Sequence, residues 1–398
     1  MKTFFNSIEI GAKGQKTLPA EAYLSADVFA QEYERIFSRR WLCVARVNEL
    51  SKPGDFRVRQ IGVESVIIVR GQDDQIRAHL NLCRHRGTRI CTQDRGTFAR
   101  TIQCPYHAWT YGLDGKLVGV PDESQFDNFC RDDYPLHAVA CEVWEGLVWI
   151  NLARSLSQKG SDPLGFSKGL TPFGTGDKKQ DSFETTFAPV LNKFQAWNMG
   201  SLVCGGRRDY EVRANWKLIA QNYNECYHCA VIHPELTRMS PPRSGGNDLI
   251  EGPFLGGYLE VNEPGGSLTD SGLACGVSVG SFSAEELQRA WFYVLFPQLL
   301  LSLHHDYVMV HTLWPLEPGL TRIECEWLFH PDSIGNDQWS PEDGISFWDK
   351  TNQEDWRVSE LTQLGVTSSR YQPGPYSNRE AMSAAFDREY LRSMSKTE

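Results

Sequence analysis

The sequence predicts an α+β chain: a small antiparallel β domain, then a larger domain in which a curved antiparallel sheet surrounds a long helix. Three observations predict this. Short β-rich stretches divided by turn residues run from Trp41 to Asn151, four more run from Arg289 to His330, and segments with helical spacing lie before, between and after them. At 398 residues the chain has room for two or three domains, each with its own core.

The elements follow in order. Over residues 19–37, Tyr23, Val28, Phe29, Tyr33, Ile36 and Phe37 recur at helical spacing behind early acidic residues. Residues 1–39 are therefore expected to form a helical segment that packs with the larger domain. Residues 41–46, 55–59, 63–70 and 75–80 are short strands separated by Pro53-Gly54 and the Asp73-Asp74 turn, and the small domain, 40–153, closes with a strand at 148–151. Residues 154–184 are rich in Ser, Gly, Lys, Asp and Pro and read as a linker or insertion. The larger domain occupies 185–398. A helix begins at Asn215 and stops by Pro234; strands follow at 289–296, 299–303, 306–314 and 322–330, divided by Pro297, His304-His305 and the stretch 315–319. In the last strand Arg322, Glu324 and Glu326 alternate with Ile323, Cys325 and Trp327, one face wet and the other packed. Residues 346–363 have helical spacing, with Phe347, Thr351, Val358 and Thr362 as an inward stripe. No internal repeat is evident.

Composition excludes several function classes. A net charge of −10 argues against a nucleic acid or an anionic membrane as partner. The longest apolar run, 293–303, contains Pro297 and Gln298 and is too short to span a bilayer. No long apolar region precedes the first charges after Met1, so no signal peptide is expected. Eleven cysteines, an odd number in a chain of this length, do not make a disulfide framework, and the cytoplasm is the expected compartment.

Two short segments carry the strongest chemistry. Cys83-Arg84-His85 and Cys104-Pro105-Tyr106-His107 each hold one Cys and one His, with 18 residues between them. A common zinc site pairs two thiolates in one half and two imidazoles in the other; here each half mixes the two, so each loop can give one ligand to each of two irons. Two thiolates on one iron and two neutral imidazoles on the other raise the reduction potential, to about −150 to +300 mV. Gly87, Gly112 and Asp114-Gly115 supply the turns that loops wrapping a cluster require. A zinc knuckle is the competing reading.

A second constellation lies on the helix from Asn215. His228 and His233 are five residues apart, which places them on different sides of a regular helix, so they converge on one ion only if the helix breaks between them. Val231, Ile232 and Pro234 favour that break. With a distant carboxylate, two such imidazoles make the 2-His-1-carboxylate arrangement, which leaves positions open for oxygen. The spacing and the residues between the two His do not fit the His-Glu-x-x-His zinc motif. On the later helix both Glu354 and Asp355 can face inward, and periodicity does not choose between them.

The Cys83-Arg-His-Arg-Gly-Thr and Cys104-Pro-Tyr-His-Ala-Trp109 segments resemble the Rieske domain of the Rieske non-heme iron oxygenases, and the segment through His228 and His233 resembles their mononuclear iron helix. Tyr106 stands where respiratory Rieske proteins carry a disulfide cysteine, which points to the oxygenase branch, with Cys91 a packed thiol. The resemblance implies a [2Fe-2S] Rieske cluster on Cys83, His85, Cys104 and His107, and one mononuclear Fe(II) on His228, His233 and Asp355, the last favoured by a Gln-x-Asp-Trp match. It also implies a helix-grip (START/Bet v1-like) catalytic domain. Asn222 would sit beside the open iron position, and Glu225 would connect His228 to the Rieske His107 of a neighbouring subunit, in a homotrimer. Glu225 and Gln221 depart from the acids usual in the aromatic dioxygenases.

The Asn222–Cys229 run, the Asp306-Tyr-Val-Met stretch and the Leu313-Trp-Pro and Cys325-Glu-Trp-Leu-Phe-His-Pro segments look most like the subgroup of choline, glycine betaine, carnitine and stachydrine monooxygenases. That implies hydroxylation or N-demethylation of a quaternary ammonium substrate held by aromatic faces, with Phe282, Trp291, Tyr293 and Tyr307 as candidate contacts. No flavin or nicotinamide fingerprint is evident, so NAD(P)H is expected to act through a separate flavin/iron-sulfur reductase. The alternatives are an aromatic ring-hydroxylating dioxygenase alpha subunit and, more distantly, a Rieske electron-transfer or sensor protein without oxygenase turnover.

Overall fold

The computed structural model describes residues 2–154, 182–263 and 265–395, so the linker expected over 154–184 lies almost wholly outside the described residues. The chain divides into two compact units, Tyr33–Thr186, and Met1–Glu32 with Phe187–Glu398. The division falls inside the segment 1–39 expected to accompany the larger domain: Tyr33–Phe37 belongs to the smaller unit. The single helix expected over 19–37 is three pieces, Ala20–Leu24, Ala26–Glu32 and a π-turn at Tyr33–Phe37. Ser25 makes the first break; its backbone is extended and its hydroxyl accepts from Val28 N at 3.3 Å, as an N-cap does.

The smaller unit is antiparallel β. Its strands are β1 Leu42–Arg46, β2 Asp55–Ile61, β3 Glu64–Arg70, β4 Ile76–Leu80, β5 Arg95–Thr97, β6 Thr101–Gln103, β7 Thr110–Gly112, β8 Leu117–Gly119, β9 Ala138–Trp144 and β10 Leu147–Asn151. Seven form one sheet in the order β1-β10-β9-β4-β3-β2-β5; β6-β7-β8 make a second. Phe56, Ile67, Val69, Ile102, Trp109 and Tyr111 build a core into which Cys83, Cys91 and Cys104 are packed.

The larger unit is a seven-stranded antiparallel sheet, β11 Val203–Val212, β12 Gly246–Leu249, β13 Phe254–Glu260, β14 Arg289–Leu295, β15 Leu299–Leu303, β16 Tyr307–Glu317 and β17 Leu320–Phe329, in the order β11-β17-β16-β15-β14-β13-β12. The β16–β17 hairpin turns at Pro318-Gly319, with Glu317 paired to Leu320. The long helix Pro341–Val366 starts with Pro341 in its first turn and Glu342 and Asp343 behind it, the residues a helix N-terminus favours. Its inner face carries Phe347, Trp348, Thr351, Asn352, Trp356, Ser359 and Gln363. The expected stripe is therefore corrected at its end: Thr362 is exposed and Val358 half-buried, because a 100° step per residue carries the buried face on to Ser359 and Gln363.

The helix Trp216–Tyr223 is held by polar groups that bulk water does not reach. Asn215 caps it, its side chain accepting from Lys217 N. Lys217 is fully buried; its Nζ lies 2.5 Å from Glu32 Oε1, and Trp216 Nε1 and Tyr390 OH each donate to the same carboxylate at 2.8 Å. Removing one partner leaves a buried charge alone, so Lys217→Ala is expected to destabilise the fold by about 3–5 kcal/mol, with Glu32→Gln/Lys217→Met recovering part of the loss, read by denaturant unfolding.

Beside this pair, Gln221 Nε2 donates to Asp387 Oδ1 at 2.5 Å and Tyr376 OH to Oδ2 at 2.8 Å. Burial, opposed by these donors, still pushes the Asp387 pKa up to about 7. A carboxyl raised above its unfolded value contributes stability that is present at low pH and lost as pH climbs through the folded pKa. Relative to Asp387→Asn, wild type should lose thermal stability between about pH 4 and 7 and run parallel to it above that.

Candidate active site

In the smaller unit two loops present four donors. Gly87 N donates to Cys83 O at 3.0 Å in one loop and Ala108 N to Cys104 O at 3.1 Å in the other, so both turn back over their cysteine. Gly87 and Ala108 occupy matching positions with φ of 74° and 54°, a conformation that costs alanine about 1–2 kcal/mol and glycine little. Cys83 and Cys104 are buried and free, whereas His85 and His107 are half-buried at the surface, ring centroids 4.6 Å apart. Tyr111 OH lies 3.3 Å from Cys83 Sγ and accepts from Arg84 N at 3.0 Å, fixing the first thiol. His85 stacks on Trp109 at 4.9 Å, and its buried Nδ1 has no hydrogen-bond partner. Burial, His107 and Arg86 together hold the His85 pKa below its ordinary value, which keeps the imidazole neutral as a metal ligand must be. Two buried sulfurs and two outward imidazoles, one nitrogen orphaned, fit a two-iron cluster with a thiolate-bound inner iron.

In the larger unit the helix Trp216–Tyr223 is followed by a turn, Asn224 to His228, before the short helix Cys229–Ile232. Glu225 folds back in this turn, its Oε2 accepting from the backbone N–H of Tyr227 and of His228. His233 follows the short helix with φ −117° and ψ 75°, outside helical geometry, because Pro234 begins the next helix, Pro234–Met239. That break turns its ring toward His228.

The outcome is a convergent triad. His228 Nε2 and His233 Nε2 are 3.2 Å apart, and Asp355 Oδ1 lies 3.3 Å from the first and 2.9 Å from the second. Among the described residues this is the one group of three or more His, Cys, Asp or Glu donors within 4.8 Å of one another. A carboxylate backs each imidazole: Glu225 Oε1 takes the Nδ1–H of His228 at 2.6 Å, and Glu354 Oε2 that of His233 at 2.8 Å. A proton held on each Nδ1 leaves both Nε2 lone pairs for a metal. Glu354, one of two candidates for the third donor, therefore stands behind a ring while Asp355 stands at the convergence. Burial would lower the His228 pKa, but Asp355 and Glu225 lift it to about 10; burial would raise Asp355, but the two imidazoles bring it to about 2. Such a cluster attracts positive charge, and its donors suit a divalent iron.

The triad opens into a cavity of about 370 Å³. Asn222 lines it, its Oδ1 buried without a hydrogen-bond partner. Phe292 and Trp348 supply aromatic wall, and Arg243 and Arg379 also line it, with no side-chain ion pair among the described residues. Gly256, with φ 141°, removes a side chain from β13, where a Cβ would meet Phe292 O at 2.1 Å.

The four aromatic candidates lie elsewhere, which corrects that expectation. Trp291 and Tyr293 are on the face of β14 opposite Phe292, against Trp197 and Phe194. Phe282 packs on Trp197, and Tyr307 is fully buried, donating to Leu268 O at 2.6 Å and accepting from Trp348 Nε1 at 2.7 Å. Strand parity decides this, and Phe292, one residue from either candidate, was the signal available. Arg243 and Arg379 reach the cavity from loops that no sequence pattern joins to it. One further feature is local: Cys226 and Cys229 form a disulfide around His228.

Comparison with known proteins agrees with this architecture. Residues 40–135 match the Rieske [2Fe-2S] domain, and residues 199–396 the ring hydroxylating alpha subunit (catalytic domain). The glycine betaine monooxygenase oxygenase subunit of Pseudomonas aeruginosa (strain UCBPP-PA14) is 27% identical over 91% of this chain and 85% of its own. The carnitine monooxygenase oxygenase subunit of Escherichia coli (strain K12) is 34% identical over 55% of this chain and 52% of its own. The quaternary ammonium Rieske monooxygenase CntA in complex with L-carnitine shares the fold with a TM-score of 0.75 at 24% identity, covering 96% of this chain and 97% of that one. Naphthalene 1,2-dioxygenase from Rhodococcus sp. shares it at 0.67 and 20% identity, over 95% and 94%. No helix among the described residues is long and apolar enough to cross a membrane. With both domain types matched in order along one chain, and with a site for a cluster and a site for a single metal, the protein belongs to the Rieske non-heme iron oxygenases.

Proposed function

We propose that this chain is the terminal oxygenase of a Rieske monooxygenase system, drawing electrons through a separate NAD(P)H-dependent flavin/iron-sulfur reductase to hydroxylate or N-demethylate a quaternary ammonium, betaine-like substrate. The observation that carries the reading is the convergence of His228, His233 and Asp355 at the wall of an aromatic-lined cavity. Cys83 and Cys104 would hold one iron of the cluster and His85 and His107 the other; His228, His233 and Asp355 would hold the mononuclear iron. When bound, the cluster supplies single electrons and the lone iron supplies oxygen activation.

The residues of the chain do the rest. Glu225 and Glu354 fix the tautomer of each ligating imidazole. Asn222 presents an unpartnered amide oxygen beside the triad. Phe292 and Trp348 offer faces to a cation that has no N–H to donate, each worth about 0.5–2 kcal/mol. Arg243 and Arg379 offer a counter-charge to the carboxylate such a zwitterion carries. Relatives named for glycine betaine and carnitine support this substrate class. Glu225 would also link His228 to the Rieske His107 of the partner subunit, which requires a ring of subunits, a homotrimer, in the cytoplasm.

Purified protein with a matching reductase, NADH and oxygen should turn over glycine betaine or carnitine with formaldehyde release or hydroxylation, and incorporate one atom of labelled oxygen. Turnover of naphthalene or salicylate to a cis-dihydrodiol carrying both atoms, with no betaine-type amine consumed, would replace this reading with the aromatic dioxygenase one.

A further inference from the structure

Cys226 and Cys229 are bonded to each other, the one disulfide among the described residues. Their Cα atoms are 4.9 Å apart, within the range a disulfide needs. The bridge spans Tyr227 and His228, directly after Glu225. Cys229 Sγ lies 3.9 Å from His228 Nε2, the nitrogen aimed at the triad. Both cysteines line the cavity; Cys229 is buried and Cys226 half-buried, so a small solute reaches the bridge from the Cys226 side.

No helix stiffens this stretch. The helix ends at Tyr223 and the next begins at Cys229, so the turn that carries His228 is held by the two backbone bonds to Glu225, the His228 Nδ1 contact with the same carboxylate, the bonds from Val231 N and Ile232 N to His228 O, and the covalent bridge. A local Cys-x-x-Cys bridge in an intracellular enzyme is more often exchanged than structural.

We propose that Cys226 and Cys229 are a thiol–disulfide exchange site whose state sets the ligand field of the mononuclear centre, an inference that rests on the assignment of His228 as a metal ligand. A small thiol opens the pair: two equivalents give up two electrons and two protons, the Cys226–Cys229 bond is reduced to two thiols, and the reagent leaves as its own disulfide. A small disulfide such as oxidised glutathione drives the reverse. Opening the bridge frees the turn that carries His228 and leaves an uncommitted sulfur 3.9 Å from its ligating nitrogen, and thiol sulfur is a soft donor that a transition metal accepts alongside imidazole.

The test uses the holoprotein with Co²⁺ in the mononuclear site and the Rieske cluster in place. Equilibration with reduced or oxidised glutathione, followed by anaerobic alkylation and peptide mass mapping, should show Cys226 and Cys229 alkylated together in the first and protected together in the second. Cys130, exposed and free, should react in both. The opened form should show sulfur-to-cobalt charge-transfer absorption that the closed form lacks. With reduced glutathione Cys226→Ser should show that absorption, and Cys229→Ser should show it under neither condition. Equal alkylation under both conditions, or cobalt bound with one spectrum throughout, overturns the proposal and leaves the ligand assignment standing. Cobalt that fails to bind in either state overturns the ligand assignment and the proposal with it.

Discussion

His233→Ala and Asp355→Ala should each reduce bound iron from about three to about two per chain, leave the Rieske spectrum unchanged and abolish substrate oxidation. The geometry gives the reason for so large an effect. His233 Nε2 and Asp355 Oδ1 are two of three donors that meet at one point, 2.9 Å apart, and no other His, Cys, Asp or Glu atom among the described residues joins that group. Glu354→Gln is the control within the same site. Its carboxylate touches His233 through Nδ1, so the variant should keep the iron and weaken metal affinity or turnover by about 10–100-fold. Metal analysis, electron paramagnetic resonance of the reduced cluster and product formation separate the two classes. If Glu354→Gln lost the iron and Asp355→Ala kept it, the third ligand would have been assigned to the wrong carboxylate.

How much of this was legible in the sequence differs between features for physical reasons. The loops of Cys83-His85 and Cys104-His107 were readable because each half of that donor set is local, closed by short turns that Gly87 and Ala108 permit. Strands β1–β4, β10 and β14–β17 were readable because a period of two survives in a linear string, as in Ile323, Cys325 and Trp327 of β17, although Glu324 and Glu326 between them are buried against Arg207 and that face is not wet as expected. Which face of a strand meets the cavity was not. Moving one residue along β14 exchanges Trp291 and Tyr293 for Phe292 and Val294, and only the packing of the Pro341–Val366 helix on the sheet decides which pair lines the site. A similar ambiguity separated Glu354 from Asp355 on the helix. Ser25 as a cap inside the first helix was overlooked although serine is a strong stop-and-start residue, and Cys226-x-x-Cys229 was visible as a spacing yet read only as part of the iron motif. Arg243 and Arg379 were beyond reach, since charge on a loop carries no period.

Glu225→Ala is expected to slow steady-state turnover by about 100-fold or more while the chain keeps most of its mononuclear iron and a cluster that its reductase still reduces. Glu225 has two duties that this variant exposes together. It accepts the Nδ1–H of His228 at 2.6 Å, which makes the ring a better ligand, and its second oxygen receives the backbone N–H groups of Tyr227 and His228, which shapes the turn. Glu225→Gln keeps an acceptor for the turn but removes the negative charge, so the two variants divide shape from electrostatics. If Glu225 joins the mononuclear site to the His107 of the partner subunit, both variants should reduce the rate at which a reduced cluster is reoxidised by oxygen and substrate, measured in a single turnover, by more than they reduce metal affinity. If its duty is confined to shaping the turn, Glu225→Gln should reoxidise at the wild-type rate. A monomer in solution with full activity would remove the inter-subunit route altogether, because the electron would then have to travel within one chain.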